Sequence, residues 1–132
     1  MESATFSGNS AGITGGAISN TGPVAAVTPN AVTASGFTGN RAGTDGGAIY
    51  TTSALNLTTD SMSGNRAGTF GGGLALGKPG GAVVLTTTDI FGNRANISGG
   101  GIRVAAGTVT FRNNSLVTQN LPNNCLGVVC PA

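Results

Sequence analysis

The residues that could carry out catalytic chemistry in this sequence are few. The complete set of acidic residues is Glu2, Asp45, Asp60 and Asp89, and the chain has no histidine. Glycoside hydrolysis needs two carboxyl groups about 5 to 10 Å apart. Only Asp60 and Asp89 are candidates, because they precede a repeated asparagine by five and four residues in successive repeats. This offset predicts opposite faces of a strand, and we interpret both as exposed turn residues.

Other catalytic groups and metal sites are also missing from the sequence. Acyl transfer needs a nucleophile beside a base, and a calcium-assisted lyase needs clustered carboxylates; the sequence offers neither arrangement. Four residues separate Cys125 from Cys130, which does not fit a CxxC metal or redox motif. We therefore predict that the chain is not an enzyme and has no metal and no cofactor.

Three arginines are the best candidates for a binding surface. Arg41, Arg66 and Arg94 each follow a repeated asparagine directly, so stacked repeats would align them as a basic row. Such a row could be a solvated edge, or it could bind acidic glycans or a sulfated or phosphorylated host or matrix surface. The net charge of +2 and the lack of aromatic residues among the basic ones argue against nucleic acid as the partner.

These arginines belong to a repeat that runs through the whole chain. In four copies, a Gly-Gly pair begins six residues after an asparagine and leads to an apolar residue. An apolar residue also lies three positions before each asparagine. The five asparagines are 31, 25, 28 and 27 residues apart, and they are Asn9, Asn40, Asn65, Asn93 and Asn120.

The spacing of apolar residues predicts strands and no helices. Val32, Leu57 and Leu85 each lie eight residues before a repeated asparagine, and a threonine follows each one. This alternation is typical of a strand with one buried face. One repeat is too small to bury its apolar residues alone, so repeats must stack at about 4.8 Å. We predict an all-β fold: a right-handed parallel β-helix of four to five coils, each with two or three strands.

Stacking assigns structural roles to the repeated residues. The apolar residues before the asparagines form one interior ladder, namely Phe6, Phe37, Met62, Ile90 and Val117. A second ladder follows the glycine pairs and consists of Ile18, Ile49, Leu74 and Ile102. We expect the asparagines to bond neighbouring turns through their side-chain amides. The glycine pairs would permit positive φ angles and a close approach between coils.

The chain divides into repeats and a short terminal segment. Residues 1–120 form a single repeat domain, and residues 121–132 form a C-terminal cap in which Cys125 and Cys130 can close a disulfide loop. A disulfide there would favour an oxidising compartment. Open strand edges at the N-terminal end invite pairing with a second copy or, in a longer protein, with preceding coils. With only 8% charged residues, the surface is weakly protected against such association.

The paired motifs resemble those of a known repeat family. Phe37-Thr38-Gly39-Asn40 followed by Gly46-Gly47-Ala48-Ile49 is similar to the chlamydial polymorphic outer-membrane protein repeat and to right-handed parallel β-helix repeat proteins of bacterial surfaces. The resemblance covers roughly residues 5 to 120. It implies a secreted or surface-displayed protein, often an adhesin, and hence an extracellular or cell-surface location.

The sequence leaves alternatives to this function open. A polysaccharide-binding or polysaccharide-cleaving β-helix fragment is one. An ice-binding solenoid is another, because Thr33, Thr58 and Thr86 would form an outward row, although the partner row of Ala31, Asn56 and Val84 lacks threonine. We find no signal-peptide pattern and no run of about 18 apolar residues that could span a membrane. We therefore expect a mature domain or a segment of a longer protein.

Overall fold

The regular elements are all short β-strands. The computed structural model describes residues 3–21 and 30–131, and in these ranges no helix is long and apolar enough to cross a membrane. The strands, in chain order, are β1 Thr5–Ser7, β2 Ser10–Ala11, β3 Ile18–Asn20, β4 Asn30–Thr33, β5 Gly36–Thr38, β6 Arg41–Ala42, β7 Ile49–Thr51, β8 Leu55–Thr58, β9 Ser61–Ser63, β10 Arg66–Ala67, β11 Leu74–Leu76, β12 Ala82–Thr86, β13 Asp89–Phe91, β14 Arg94–Ala95, β15 Ile102–Val104, β16 Thr108–Arg112, β17 Leu116–Thr118 and β18 Cys125–Leu126.

The strands form four parallel sheets that the chain visits in a fixed order. The first sheet has the order β1-β5-β9-β13-β17 and the second β14-β10-β6-β2. The third has the order β18-β15-β11-β7-β3 and the fourth β16-β12-β8-β4. The chain passes through all four sheets four times, so the fold is a parallel β-solenoid of about four turns. The predicted all-β solenoid is confirmed. Its right-handed winding remains a prediction, in keeping with the general handedness of parallel connections.

Each coil contains four strands, so the prediction of two or three was too low. The additional strands form the second sheet and are only two residues long, as in Arg41–Ala42 and Arg66–Ala67. Two residues are too few to show the alternation by which a strand is recognised in a sequence. The arginines therefore lie on strands, directly after the asparagine turn.

The predicted interior ladders pair in register and form the core. Phe37 lies between Phe6 and Met62 in the first sheet, and the rings of Phe6 and Phe37 stack with their centroids 4.7 Å apart. Phe111 extends the fourth-sheet ladder beyond Leu85. Cys125 extends the third-sheet ladder in the same way. The apolar side chains of the middle coils are almost completely buried.

Residues 121–131 lie against the last coil. β18 continues the third sheet beside β15, and Cys125 forms a disulfide with Cys130. The backbone N–H of Val117 donates to the carbonyl of Pro131 at 3.1 Å. Val128 and Cys130 pack on the core. This segment therefore covers apolar residues at the C-terminal end of the solenoid.

Candidate functional site

The repeated asparagines form a hydrogen-bonded ladder in the turn between the first and second sheets. Oδ1 of Asn40 accepts the backbone N–H of Asn9 at 3.0 Å and the Nδ2 of Asn9 at 2.9 Å. Asn65 accepts the same two donors of Asn40, both at 2.9 Å. The complete ladder runs through Asn9, Asn40, Asn65, Asn93, Asn120 and Asn124.

Burial makes this ladder a strong constraint on the turn. Asn40, Asn65 and Asn93 are each only 1% exposed, and Nδ2 of Asn65 also donates to the carbonyl of Phe37 at 2.9 Å. A buried amide must satisfy its hydrogen bonds within the protein. The ladder therefore holds each turn in register with the turns of the neighbouring coils. Asn124, which accepts the last bonds, was missed in the sequence because it follows Asn120 by four residues instead of a full repeat.

The glycine pairs place the arginine strands. The first glycine of a pair has a positive φ, as at Gly46 and Gly71, where φ is 70° and 67°. The second glycine packs against the backbone of the arginine one coil further. A Cβ on Gly47 would lie 2.6 Å from the carbonyl carbon of Arg66, and a Cβ on Gly72 would lie 2.6 Å from that of Arg94. The second sheet can approach this closely only because these positions have no side chain.

The three arginines occupy equivalent positions on the second sheet. Arg66 pairs with Arg41 on one side and with Arg94 on the other, and all three are exposed. The alanine after each arginine points inward and is buried. We call Arg41, Arg66 and Arg94 the arginine row. Its members are about one strand spacing, ~4.8 Å, apart, so their charges repel each other, although water and salt screen the repulsion.

No carboxylate neutralises the arginine row within the described residues. The salt bridge in these ranges joins Arg103 to Asp45 at 3.8 Å. The guanidinium of Arg103 also lies 4.2 Å from the centre of the Phe70 ring, so Arg103 links neighbouring coils. Lys78 and Arg112 are exposed elsewhere on the solenoid. The arginine row is therefore a line of unpaired positive charge.

A row of mainly hydroxyl side chains runs beside the arginine row on the outer face of the first sheet. Its members in register are Ser7, Thr38, Ser63, Phe91 and Thr118. Between the two rows lie glycines with positive φ, such as Gly39 and Gly92, where a Cβ would meet open space. A strip without side chains therefore separates the hydroxyl groups from the arginines.

Phe91 is the residue on this face that the sequence analysis missed. Its side chain is 40% exposed, because Ile90 takes the inward position beside Met62. Strand alternation could have revealed it, since only one of two adjacent residues can face the core. Asp89 is exposed on the same outer face, so this surface also carries one negative charge.

The two candidate catalytic aspartates lie in different environments. Asp89 is exposed, as predicted, and pairs with Ser61. The prediction that Asp60 is exposed was wrong, because it is 3% exposed and faces inward. Asp60 lies five residues before its asparagine, a position occupied in other coils by Ser35, Thr88 and Ser115, which are also buried. One aspartate is buried and the other faces solvent, so the two carboxyl groups do not share a site. The described residues contain no group of three or more potential metal ligands.

Comparison with known families finds a match for the first part of the chain. Residues 3–21 and 37–52 match the Chlamydia polymorphic membrane protein (Chlamydia_PMP) repeat. These two stretches are similar to PMP repeats. No curated protein and no solved structure gives a significant match. The resemblance seen in the sequence is thus confirmed for the first two copies of the motif pair, which include Asn9 and Asn40. The PMP match contains Arg41 and does not reach Arg66 or Arg94, so a binding surface has to be inferred from the geometry of this chain.

Proposed function

We propose that this chain is a non-catalytic β-solenoid module of a surface-displayed protein, and that it binds acidic glycans through the arginine row. The PMP repeat supports an extracellular or cell-surface location. The observation that carries the binding proposal is the alignment of Arg41, Arg66 and Arg94 in register, exposed and without a carboxylate partner in the described ranges.

An extended polyanion is the partner that fits this row. Its charges would lie along the solenoid axis and meet one guanidinium per coil, about 4.8 Å apart. Arginine suits such a ligand because its planar group can form two parallel hydrogen bonds with a carboxylate, sulfate or phosphate. The hydroxyl groups of Thr38 and Ser63 could bond sugar hydroxyls, and the exposed ring of Phe91 offers an apolar surface.

The test is a binding measurement with heparin as the acidic probe and dextran as the neutral one. Exposed charges contribute about 1 kcal/mol each at most. We therefore expect Arg41→Ser with Arg66→Ser to weaken heparin binding roughly tenfold, and at most about thirtyfold. We also expect the affinity to fall as salt is raised. Dextran should not bind measurably.

The matched control removes the same charge at other exposed positions, through Lys78→Ser with Arg112→Ser. This variant should lose less than threefold in heparin affinity. Equal losses in the two variants would show that net charge alone attracts the probe, which would contradict a site at the row. If the unaltered protein binds neither probe, the glycan proposal fails, and a scaffold or adhesin-like role toward another partner becomes the better account.

The geometry favours the alternatives less. A polysaccharide-cleaving fragment would need Asp60 and Asp89 in one site, and Asp60 is buried while Asp89 faces solvent. For ice binding, Thr33, Thr58 and Thr86 do align, but Arg112 continues their row in the next coil. The adjacent row contains Ala31, Asn56, Val84 and Thr110, so a regular double row of threonines is missing.

A further inference from the structure

A second ladder of polar side chains lies in the turn before the first sheet. We call Ser35, Asp60, Thr88 and Ser115 the hydroxyl ladder, because three of its four members are hydroxyl residues. In each coil, a side-chain oxygen accepts a backbone N–H from the coil before it. Asp60 Oδ1 accepts from Ser35 at 2.8 Å, and Ser115 Oγ accepts from Thr88 at 3.0 Å. Thr88 Oγ1 accepts from Asp60 at 3.4 Å.

The hydroxyl members of this ladder also donate. Ser35 Oγ lies 3.0 Å from the carbonyl oxygen of Thr33, Thr88 Oγ1 lies 3.2 Å from that of Leu57, and Ser115 Oγ lies 3.1 Å from that of Leu85. Each position therefore calls for a group that accepts one hydrogen bond and donates another. An ionised carboxylate can only accept, whereas a protonated carboxyl group can do both.

Asp60 lacks the second of these bonds. Its Oδ2 atom is buried and has no hydrogen-bond partner in the described part of the chain. A proton on Oδ2 would give Asp60 the donor that the other three members have. Leaving a charged oxygen buried without a partner is unfavourable, so the geometry by itself favours the neutral acid.

The hydrogen-bonding neighbours of Asp60 in the ladder carry no charge. Its neighbours in the ladder are Ser35 and Thr88, which are neutral, and the described residues show no ion pair to Asp60. Asp89 in the next coil is exposed on the outer face. Burial raises the pKa of Asp60 to about 6, while backbone hydrogen bonds at Ser35 and Thr58 and the charge of the amino terminus lower it to a smaller extent.

We propose that Asp60 serves as a neutral acid in place of a hydroxyl in this ladder, so that loss of its proton weakens the solenoid between its second and third coils. The module then responds to pH through a single buried group. Because the pKa in the folded state, about 6, lies above the ordinary value of 3.8, the folded state holds the proton more tightly. Stability contributed by Asp60 is full below about pH 4 and falls as the pH rises to about 6.

Two measurements on the whole chain test this proposal. The first is an NMR titration of the Asp60 side-chain carboxyl carbon, with a midpoint near pH 6 expected. The second is chemical denaturation between pH 4 and pH 7.5. Over this range we expect the unfolding equilibrium constant of the unaltered protein to rise about a hundredfold. Asp60→Ser and Asp60→Asn, which are neutral and can donate, should remove most of this dependence.

Asp89→Ser is the control, because it removes an exposed aspartate one coil away and should leave the pH dependence unchanged. An Asp60 midpoint at or below pH 4 would overturn the proposal. So would a stability of the unaltered protein that stays constant or rises between pH 4 and pH 7. If an Asp60 variant does not fold, the NMR titration of the unaltered chain still decides the question.

Discussion

At the scale of single residues, the buried amides and hydroxyls carry much of the specificity of this fold. Apolar ladders are tolerant, since Phe37, Met62 and Ile90 fill equivalent places with different shapes. The asparagine position is the same in every repeat, because only a side chain with both an acceptor and a donor can complete the bonds made by Asn40 and Asn65.

Replacement of a central asparagine should therefore be costly. Asn65→Ala removes the acceptor for the backbone N–H and the Nδ2 of Asn40, both of which are buried. Each buried donor left without a partner costs about 1 to 3 kcal/mol, so we expect a loss of about 3 kcal/mol or more. Denaturant unfolding measures it. Asn9→Ala, at the exposed end of the ladder, should cost less than about 1 kcal/mol, and a similar cost at both sites would contradict the role of burial.

At the scale of strands and turns, the second glycine of each pair links the repeat motif to the arginine row. The two-residue arginine strands are too short to hold themselves in place by pairing alone. They are held between the asparagine turn and the backbone of the glycine pair one coil earlier, as Arg94 is by Gly72. The motif that defines the repeat thus also positions the candidate binding surface.

A methyl group at this contact should displace the strand. In Gly72→Ala, Cβ would lie 2.6 Å from the Arg94 carbonyl carbon, and overpacking against backbone costs about 1 to 3 kcal/mol or more. We expect that loss in thermal unfolding, together with weaker heparin binding if the proposed site is correct. Gly64→Ala is the comparison, because its Cβ has no neighbour closer than 3.9 Å and only the φ of 65° is unfavourable.

Gly64→Ala should therefore cost about 1 to 2 kcal/mol through backbone strain alone and weaken heparin binding less than Gly72→Ala does. If Gly72→Ala lowers neither the stability nor the heparin affinity more than Gly64→Ala does, the close contact with the glycine pair does not position the arginine strand.

At the scale of the whole molecule, the two ends of the solenoid differ. Residues 121–131 lie against the last coil and continue the third sheet. At the other end, β1, β2, β3 and β4 are the edge strands of their sheets within residues 3–21 and 30–131, and Phe6 and Ile18 are only partly buried. Edge strands favour association with other strands.

Pairing of the N-terminal end with a second copy therefore stays our prediction for self-association. Because the C-terminal end is covered, two copies should meet through the same N-terminal surface and form a closed dimer instead of a fibre. Sedimentation velocity should show a species that grows with concentration and stops at a dimer. Ile18→Lys, which puts a charge at the open end, should give a monomer.

Val129→Lys is the control at the other end, where Val129 is 92% exposed, and it should leave the dimer intact. A monomer at all concentrations, or loss of association in the Val129 variant as well, would contradict pairing through the N-terminal end.

The repeat alone was enough to predict the solenoid, its ladders and the alignment of the arginine row. Equivalent residues recur at fixed offsets from each asparagine, and stacking repeats of similar length must bring equal offsets into register. Phe37 thus meets Met62, and Arg41 meets Arg66, whatever the exact path of the chain between them. The hydroxyl ladder also recurs at a fixed offset, five residues before each of four asparagines. We did not recognise it in the sequence, because Asp60 at this position suggested an exposed turn.

Where the repeats vary, the repeat did not predict which side chains are buried, and this became clear from the folded structure. Asp60 and Asp89 differ by one residue in offset, and one residue is enough to change the face of a strand, so one is buried and the other exposed. After Asn120 the chain turns back and brings Asn124 and Cys125 onto the last coil. This turn does not follow the repeat period, so the repeat could not predict it. These features depend on contacts between residues that are far apart in the sequence. Such contacts form only when the coils stack in the folded protein.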